Sequence, residues 1–249
     1  MQLDFTGKTI IVTGATRGIG KQIADDLASL GANLILTGTR LDEIDELNNT
    51  QRVTGYRKRY LQLDFSEPSS VDNFIETIGL EKEIHGLVNN AGINKLNYVQ
   101  DANLEDWDAM IAVNLTAPFR LINAVSKRMI EQKYGRILNV GSIFSKISKE
   151  KRAVYSATKF GINGLTTGVS NDLARYNILC NTLSPGFVLT DLTRKNLSEK
   201  EMADLLEMVP AKRLGEVSDI SNIAVFMLSD LNQYLTGQNI IVDGGFTNV

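Results

Sequence analysis

TIIVTGATRGIGKQIADDLASLGA, residues 9–32, joins a short apolar run to a glycine-rich loop and then to a segment of helical period. Glycines let the backbone adopt unusual φ values and approach a ligand closely, and the N-terminus of a helix favours an anionic phosphate. Gly14, Gly18 and Gly20 follow the spacing GxxxGxG rather than GxGxxG. A strand, a glycine loop and a helix in this order predict a phosphate-binding turn, with an ordinary glycine-rich turn as the alternative.

Further apolar runs alternate with helical patterns along the rest of the chain. With the first, the expected strands are Thr9–Thr13, Asn33–Thr37, Arg59–Asp64, Gly86–Asn90, Gly135–Val140, Ile178–Ser184 and Asn239–Asp243. Near-continuous apolar strands between helices indicate a parallel sheet that is covered on both faces. We therefore expect a single α/β domain over residues 1–249, a Rossmann-type, doubly wound parallel sheet of seven strands with helices on both faces. Its ligand should lie at the carboxyl ends of the strands, near the topological switch point.

Length and composition are those of an ordinary globular protein. The chain has 249 residues, 43% of them hydrophobic and 22% charged, with a net charge of −3 and a pI of about 5.4. Such a chain is not typical of nucleic-acid binders, and one cysteine with one histidine makes a Cys/His metal site unexpected. No secretory signal and no apolar run of the ~18–20 residues that cross a bilayer stand out. We expect a cytoplasmic protein without metal, nucleic acid or membrane as partners.

A tyrosine and a lysine four residues apart carry the candidate chemistry. Residues 155–159 read YSATK, and Ser142 stands thirteen positions before the tyrosine. On a helix, residues i and i+4 share one face, so the side chains of Tyr155 and Lys159 can meet. A close ammonium favours phenolate and lowers a phenol pKa from its ordinary value of ~10 toward a range useful for proton transfer. Tyr-x-x-x-Lys alone is a weak signal, and the phosphate-binding turn strengthens it.

The end of the second strand indicates which dinucleotide would bind. An acid at this position commonly accepts a hydrogen bond from the ribose 2′-hydroxyl of NAD, but residues 37–40 read Thr-Gly-Thr-Arg and the first acid is Asp42. Arg17 and Arg40 are available to pair with a 2′-phosphate, which suits guanidinium geometry. NADPH is therefore favoured over NADH, and an Arg40 that merely faces solvent is the alternative.

Further motifs follow one another in a recognisable order. They are TGATRGIG at 13–20, Asp64 after the third strand, NNAG at 89–92, Asn114 in VNLT, Ser142 in NVGS, YSATK at 155–159, Pro185-Gly186 with Thr190, and TGQNIIVDGG at 236–245. With these motifs the chain resembles the short-chain dehydrogenase/reductase family over essentially its whole length. Within that family it is most similar to the β-ketoacyl-acyl-carrier-protein reductases.

The resemblance implies a role for each matching residue. At the dinucleotide it implies Thr13, Gly14, Thr16, Arg17, Gly18, Ile19 and Gly20 around the pyrophosphate, Asp64 and Phe65 beside the adenine, Asn89, Ala91 and Gly92 along the ribose, and Pro185, Gly186, Val188 and Thr190 near the nicotinamide. In catalysis, Tyr155 exchanges the proton and Ser142 hydrogen-bonds the substrate oxygen. Lys159 orients the nicotinamide ribose and lowers the Tyr155 pKa, and Asn114 holds a water that continues a proton relay.

Three local patterns bear on packing and partners. Ala157, Gly161, Gly164 and Gly168 lie roughly opposite Tyr155 on its helix, which predicts close backbone packing either within the monomer or against a symmetry mate. The family resemblance favours packing against a symmetry mate, in a homotetramer. Pro118 predicts a kink in the helical pattern over 104–133. Apolar residues at helical spacing between 187 and 213, including Leu192, Leu197 and Met202, predict either a lid over the substrate or a surface helix that simply packs.

The expected function is NADPH-dependent transfer of hydride between a nicotinamide and a keto substrate, either a small molecule or one linked to a carrier. A 3-oxoacyl thioester is the first substrate guess. Residues 93–98, INKLNY, lack the threonine–arginine–aspartate run that commonly follows NNAG in acyl-carrier reductases. A sugar, a polyol or another secondary alcohol is therefore the alternative substrate. Outside the enzymes, the alternative is a protein that senses NADP(H) without turning it over.

Overall fold

The structure, a computed structural model, describes residues 3–54, 57–190 and 199–248. Its strands are β1 Thr9–Val12, β2 Asn33–Gly38, β3 Lys58–Gln62, β4 Gly86–Asn89, β5 Gly135–Val140, β6 Ile178–Pro185 and β7 Asn239–Val242. They form one parallel sheet of seven strands in the order β3-β2-β1-β4-β5-β6-β7. Each predicted strand is present, with ends within two residues of the prediction. The doubly wound Rossmann-type fold is confirmed, and its switch point lies between β1 and β4, where ligands bind in such sheets.

Helices cover both faces of this sheet. They are α1 Gly18–Ser29, α2 Leu41–Thr54, α3 Pro68–Gly79, α4 Leu104–Ile111, α5 Ala117–Gln132, α6 Ala153–Leu173, α7 Glu199–Met208 and α8 Val217–Leu228. Local chemistry explains several starting points. α3 begins at a proline, whose fixed φ suits a first helical turn. α4 begins after Asn103, whose side chain accepts a hydrogen bond from Asp106 N at 2.7 Å.

Two hydrophobic cores result from the alternation of side chains along the strands. Ile10 and Val12 of β1 point to one face and pack with α1 and α8, whereas Ile11 points to the other face and packs with α3 and α5. All three side chains are at most 2% exposed. Burial on both faces explains why the strands read as nearly continuous apolar runs. The rigid sheet between these cores positions the loops at its carboxyl edge.

The segment between α4 and α5 forms a π-helical turn over Ala112–Thr116. This turn lies directly before Pro118, where the sequence predicts a kink. Insertions of this kind are frequent at functional sites. The continuous helical stretch Leu104–Gln132 is long and apolar enough to cross a membrane by length and composition, contrary to the expectation that no segment would be. Its side chains Leu121 and Val125 are fully buried in the core beneath the sheet, so much of its apolar surface is used inside the fold.

A smaller apolar cluster covers the end of the sheet near β7. Leu205 of α7 packs with Val209 and Leu214, and Met202 and Phe187 border them. Met202 thus packs in the way that a surface helix requires, and a lid over the substrate stays a prediction. Leu192 and Leu197, which the sequence assigns to the same apolar stripe, lie outside the described residues.

Candidate active site

The glycine loop connects β1 to α1 at the carboxyl edge of the sheet. Gly14 and Gly18 have φ values of +62° and +57°, which residues with a side chain rarely adopt. A Cβ at Gly14 would lie 3.0 Å from the Cα of Ala91, and a Cβ at Gly20 would lie 2.3 Å from Asn90 Nδ2. No side chain caps the start of α1. The first N–H groups of that helix therefore suit an anion such as a phosphate.

Two polar side chains shape the glycine loop from within. Asn90 Nδ2 donates to the backbone carbonyls of Thr13 and Gly14, at 2.9 and 3.0 Å. Thr13 Oγ1 accepts from the backbone N–H groups of Asn90 and Ala91, both at 3.0 Å. Asn90 is not one of the predicted site residues, and its place beside Asn89 in the NNAG motif is the signal that could have identified it.

Several predicted dinucleotide residues support this edge through packing. A Cβ at Gly38 would lie 2.5 Å from Thr16 Cγ2, so Thr16 closes tightly on the end of β2. Ile19 packs against the core formed by α1 and α8, and Phe65 packs against the core of α3 and α5. The Asp64 carboxylate accepts from the N–H and the hydroxyl of the residue two positions later, at 2.9 and 2.6 Å. Adenine contact by Asp64 and Phe65 stays a prediction.

The segment after β6 faces the glycine loop across the switch point. Pro185 ends β6, and the Gly186 N–H donates to the Val242 carbonyl of β7 at 2.9 Å. Thr190 Cγ2 lies 3.7 Å from the position of a Cβ on Gly18. Val188 is 7% exposed and is therefore buried beside this segment. Thr190, predicted to lie near the nicotinamide, is thus next to Gly18 of the predicted pyrophosphate loop.

The two arginines predicted to meet a 2′-phosphate differ in their partners. Arg17 is exposed and is the N-cap of α1. Arg40 is also exposed, and its guanidinium pairs with the Asp42 carboxylate. The hydrogen bond that Arg40 donates to Asp42 raises the pKa of Arg40. A 2′-phosphate would therefore compete with Asp42 for Arg40, and a role in phosphate binding stays a prediction for both arginines.

The structure brings the three central catalytic candidates together at the carboxyl end of β5. Ser142 begins the turn after β5, where its Oγ accepts from Phe144 N at 3.2 Å and hydrogen-bonds the Tyr155 phenol. Tyr155 and Lys159 lie one turn apart on α6, with Lys159 Nζ 5.6 Å from the centre of the Tyr155 ring. The i, i+4 spacing therefore places the two side chains as predicted.

The pKa of the Tyr155 phenol is shifted in the opposite direction from the prediction. Burial raises the pKa of Tyr155 above its ordinary value, while the hydrogen bond from Ser142 and the charge of Arg152 act in the lowering direction. The expectation that the neighbouring amine lowers the Tyr155 pKa is therefore wrong for this structure, because desolvation of the phenolate outweighs the favourable charges.

Lys159 is itself a buried cation. Its side chain is 5% exposed, and its Nζ donates to the backbone carbonyl of Val140 at 2.9 Å. Burial lowers the pKa of Lys159 to about 8. The amine is thus mostly protonated at neutral pH, although its charge is poorly solvated.

Asn114 joins the catalytic residues to the loop after β4. Its Oδ1 accepts from Ile93 N and its Nδ2 donates to Ile93 O, both at 2.9 Å. A Cβ at Gly92 would lie 3.3 Å from Asn114 Oδ1 and 3.8 Å from Lys159 Nζ. Because the preceding Ala91 touches the glycine loop, these contacts connect the glycine loop to Lys159. The relay water expected at Asn114 stays a prediction.

A buried polar chain lies beneath this junction. Asn89 Nδ2 donates to Asn139 Oδ1 at 2.8 Å, and Asn139 Nδ2 donates to Thr166 Oγ1 at 2.9 Å. Asn89 Oδ1 is buried, and no described residue donates to it. This unmet acceptor and the uncapped start of α1 fit the hydroxyl and phosphate groups of a dinucleotide.

Arg152, which is not one of the predicted site residues, also lies beside Tyr155. The Arg152 guanidinium carbon lies 5.9 Å from the centre of the Tyr155 ring. Arg152 stands three positions before Tyr155, and i, i+3 neighbours share a helix face. The same spacing rule that identified Lys159 could therefore have identified this arginine.

Comparison with known proteins agrees with this geometry. The family model described as Enoyl-(Acyl carrier protein) reductase matches residues 14–247. The 3-oxoacyl-[acyl-carrier-protein] reductase FabG of Escherichia coli (strain K12) is 38% identical over 247 residues, covering 98% of both chains.

Solved structures show the same architecture. A putative gluconate dehydrogenase from Agrobacterium tumefaciens superposes with a TM-score of 0.93 at 32% identity, covering 100% of both chains. A gluconate 5-dehydrogenase from Burkholderia cenocepacia J2315, in complex with NADP and tartrate, superposes with a TM-score of 0.92 at 32% identity, covering 99% of this chain and 97% of the other. With the glycine loop, the Ser142–Tyr155–Lys159 set and these relatives in agreement, the chain belongs to the short-chain dehydrogenase/reductase family of oxidoreductases.

Proposed function

We propose that this protein is an NADPH-dependent carbonyl reductase that also works in reverse as a secondary-alcohol dehydrogenase. The observation that carries the proposal is the set of partly buried Ser142 and Tyr155 with buried Lys159, connected through Gly92 and Ala91 to the glycine loop. A proton donor for a carbonyl oxygen thus lies beside the predicted dinucleotide site. The first substrate class is a 3-oxoacyl thioester, small or carrier-linked, in line with the similarity to FabG.

Each side chain of the site has a separate role in the proposed reaction. A bound reduced nicotinamide supplies the hydride, and the chain's own groups manage the charge that develops on the substrate oxygen. Tyr155 donates its proton to that oxygen, and the raised Tyr155 pKa keeps the phenol protonated and ready to donate. Ser142 donates a second hydrogen bond to the same oxygen. Lys159 binds the ribose hydroxyls and keeps a positive charge beside the phenol, and Asn114 holds the water of the relay that replaces the proton.

NADP(H) is the cofactor in this proposal. Support comes from the two exposed arginines near the glycine loop, Arg17 and Arg40, and from the two gluconate 5-dehydrogenase structures that contain NADP. Arg40 would exchange its partner Asp42 for the 2′-phosphate. Replacing Arg17 with alanine should raise KM for NADPH at least about tenfold and change KM for NADH less than about threefold. Equal effects on the two cofactors would remove the proposed phosphate contact.

A second substrate class has specific support. Three structural neighbours at 30–32% identity are described as gluconate dehydrogenases, and one of them holds tartrate, a small dicarboxylate. A sugar acid is therefore the alternative substrate. The third reading, a sensor that binds NADP(H) without turnover, is disfavoured because the Ser142–Tyr155–Lys159 set is intact.

The catalytic assignment is tested by Tyr155→Phe. Phenylalanine keeps the ring and its edge-to-face contact with Phe144, whose centre lies 6.1 Å away, but it has no proton to donate. With acetoacetyl thioester or 5-ketogluconate, turnover should fall on the order of a thousandfold, while the Kd for NADPH measured by fluorescence stays within about threefold. Tyr176→Phe is the matched control. A folded Tyr155→Phe enzyme with robust turnover would overturn the assignment, and a wild type that binds NADPH tightly but reduces no carbonyl would support the sensor.

We also infer a homotetramer, in the cytoplasm. The exposed side of α6 carries Gly164 and Gly168, where an added Cβ would meet nothing within 4 Å. Intramolecular packing therefore does not explain these two glycines, whereas Gly161 has Leu115 at 3.1 Å. Phe119 of α5 and Phe160 of α6 are 53% and 48% exposed. A surface of small residues and exposed aromatic rings suits close helix packing between subunits.

A further inference from the structure

Arg152 lies between the two elements that supply the catalytic hydroxyl groups. It is the N-cap residue of α6, the helix that carries Tyr155. Its guanidinium carbon lies 4.9 Å from the centre of the Phe144 ring and 5.9 Å from that of Tyr155. Phe144 belongs to the turn that begins at Ser142. The cation is therefore held by two aromatic rings at the site of proton transfer.

No acidic side chain neutralises this cation within the described ranges 3–54, 57–190 and 199–248. Arg152 Nε is buried without a hydrogen-bond partner there, and no ion pair involves the residue. Arg120 and Arg213 pair with carboxylates. Arg136 also has a buried Nε without a partner, but its two Nη atoms donate to backbone carbonyls, which is not observed for Arg152 among the described residues. A partly buried guanidinium without an acceptor is unfavourable by itself. It would gain a partner if a ligand brought an anion.

The surrounding loop strengthens this preference for an anion. Residues 146–152 read KISKEKR, with four cations and one acid. Lys151 lies 4.8 Å from the centre of the Tyr98 ring, so the loop reaches the segment after the NNAG motif. Lys146 donates to the side chains of Thr247 and Asn248 at 3.4 and 3.2 Å. An anionic substrate approaching between these segments meets a positive field.

Burial also lowers the pKa of Arg152, with the Tyr155 phenol acting in the opposite direction. The guanidinium remains charged in proteins, so the cost of desolvation persists until an anion binds. A carboxylate matches the planar fork of a guanidinium and can accept two parallel hydrogen bonds.

We propose that Arg152 binds a carboxylate carried by the substrate a few bonds from the reacting carbonyl, so that the natural substrate is a small keto or hydroxy acid. This inference rests on the proposed carbonyl reductase function and narrows its substrate class. It favours the acid over the neutral thioester, because a thioester carries no charge near its ketone. Arg152 is then a specificity-determining residue that contacts substrate and does not take part in proton transfer.

Pairs of acids and neutral counterparts test the inference with NADPH as the reductant. The pairs are acetoacetate with methyl acetoacetate, and 5-ketogluconate with L-sorbose. For at least one pair, wild-type kcat/KM should be at least tenfold higher for the acid. Arg152→Gln should lower kcat/KM for that acid 10- to 100-fold more than for its neutral counterpart, with the additional loss mainly in KM. For Arg152→Lys, kcat/KM with the acid should lie between the values of wild type and Arg152→Gln. Lys149→Gln, which removes an exposed cation of the same loop, should leave both members within twofold.

The outcomes separate the inference from the function on which it rests. If wild type reduces neutral ketones and the acetoacetyl thioester as well as it reduces acids, or if Arg152→Gln slows both members equally, the anion site is refuted while the reductase function stands. If wild type binds NADPH but reduces no member of any pair and no thioester, the proposed function and the inference fail together. If wild type prefers dihydroxyacetone phosphate to dihydroxyacetone but shows no preference for the carboxylic acids, the proposed carboxylate ligand of Arg152 is wrong and a phosphate takes its place.

Discussion

Replacing Lys159 with methionine should stabilise the fold while it abolishes activity. Burial lowers the pKa of this amine from 10.5 to about 8. At 1.36 kcal/mol per pKa unit, keeping the charged form inside the protein costs about 3 kcal/mol at pH 7. Methionine fills similar space without a charge, but it leaves the Val140 carbonyl without the donor that now lies 2.9 Å away. The loss of that hydrogen bond costs about 1 kcal/mol, so the net gain at pH 7 is about 2 kcal/mol.

The pH dependence of this gain identifies its cause. Because the folded pKa of Lys159 lies below the unfolded pKa, its contribution to stability is fully present above pH 10.5 and is lost as the pH falls through about 8. The advantage of Lys159→Met over wild type should therefore be greatest at pH 7 and should shrink by about 2–3 kcal/mol by pH 10. Lys149→Met, at an exposed position, should show no such change.

Urea denaturation at pH 7, 8.5 and 10, followed by tryptophan fluorescence at one protein concentration, measures these differences. A difference between Lys159→Met and wild type that is the same at all three pH values would refute the claim that a buried charge is the cause. A variant less stable than wild type at pH 7 would show that the amine's hydrogen bond outweighs its desolvation.

Three further expectations concern the glycine loop, the oligomer and the thiol. Gly20→Ala should abolish NADPH binding in calorimetry, because its Cβ would lie 2.3 Å from Asn90 Nδ2, whereas Gly79→Ala, with nothing within 4 Å, should bind NADPH normally. Gly164→Leu should leave the monomer fold intact but reduce the mass measured by light scattering, and an unchanged tetramer would place the subunit contact elsewhere. Cys180 should not react with a thiol reagent in the native protein but should react fully in urea, because burial raises its pKa to about 12 and a protonated thiol is a poor nucleophile.

The strands and the main catalytic spacing could be predicted from the sequence because both depend on local pattern. Doubly covered strands are apolar on both sides, so β1 and β2 contain the uninterrupted apolar runs Ile10–Val12 and Leu34–Leu36. Tyr155 and Lys159 lie one helical turn apart whatever surrounds them. The glycine loop could also be predicted, because its backbone needs positive φ values at Gly14 and Gly18 that residues with a side chain rarely adopt. Glycines at these positions are therefore visible in the sequence.

Only the tertiary structure decided the environment of those residues. Asn90 supports the glycine loop across 76 positions of sequence, and the direction of the Tyr155 pKa shift depends on desolvation by packing around α6. The lack of an ion pair at Arg152 also depends on the tertiary structure, because the fold determines which acidic side chains lie near its guanidinium. Sequence by itself determined the order of elements and the chemistry that each could carry. Solvation and distant contacts exist only once the chain has folded, and they determine how strongly each group holds its proton and which substrate charge the site attracts.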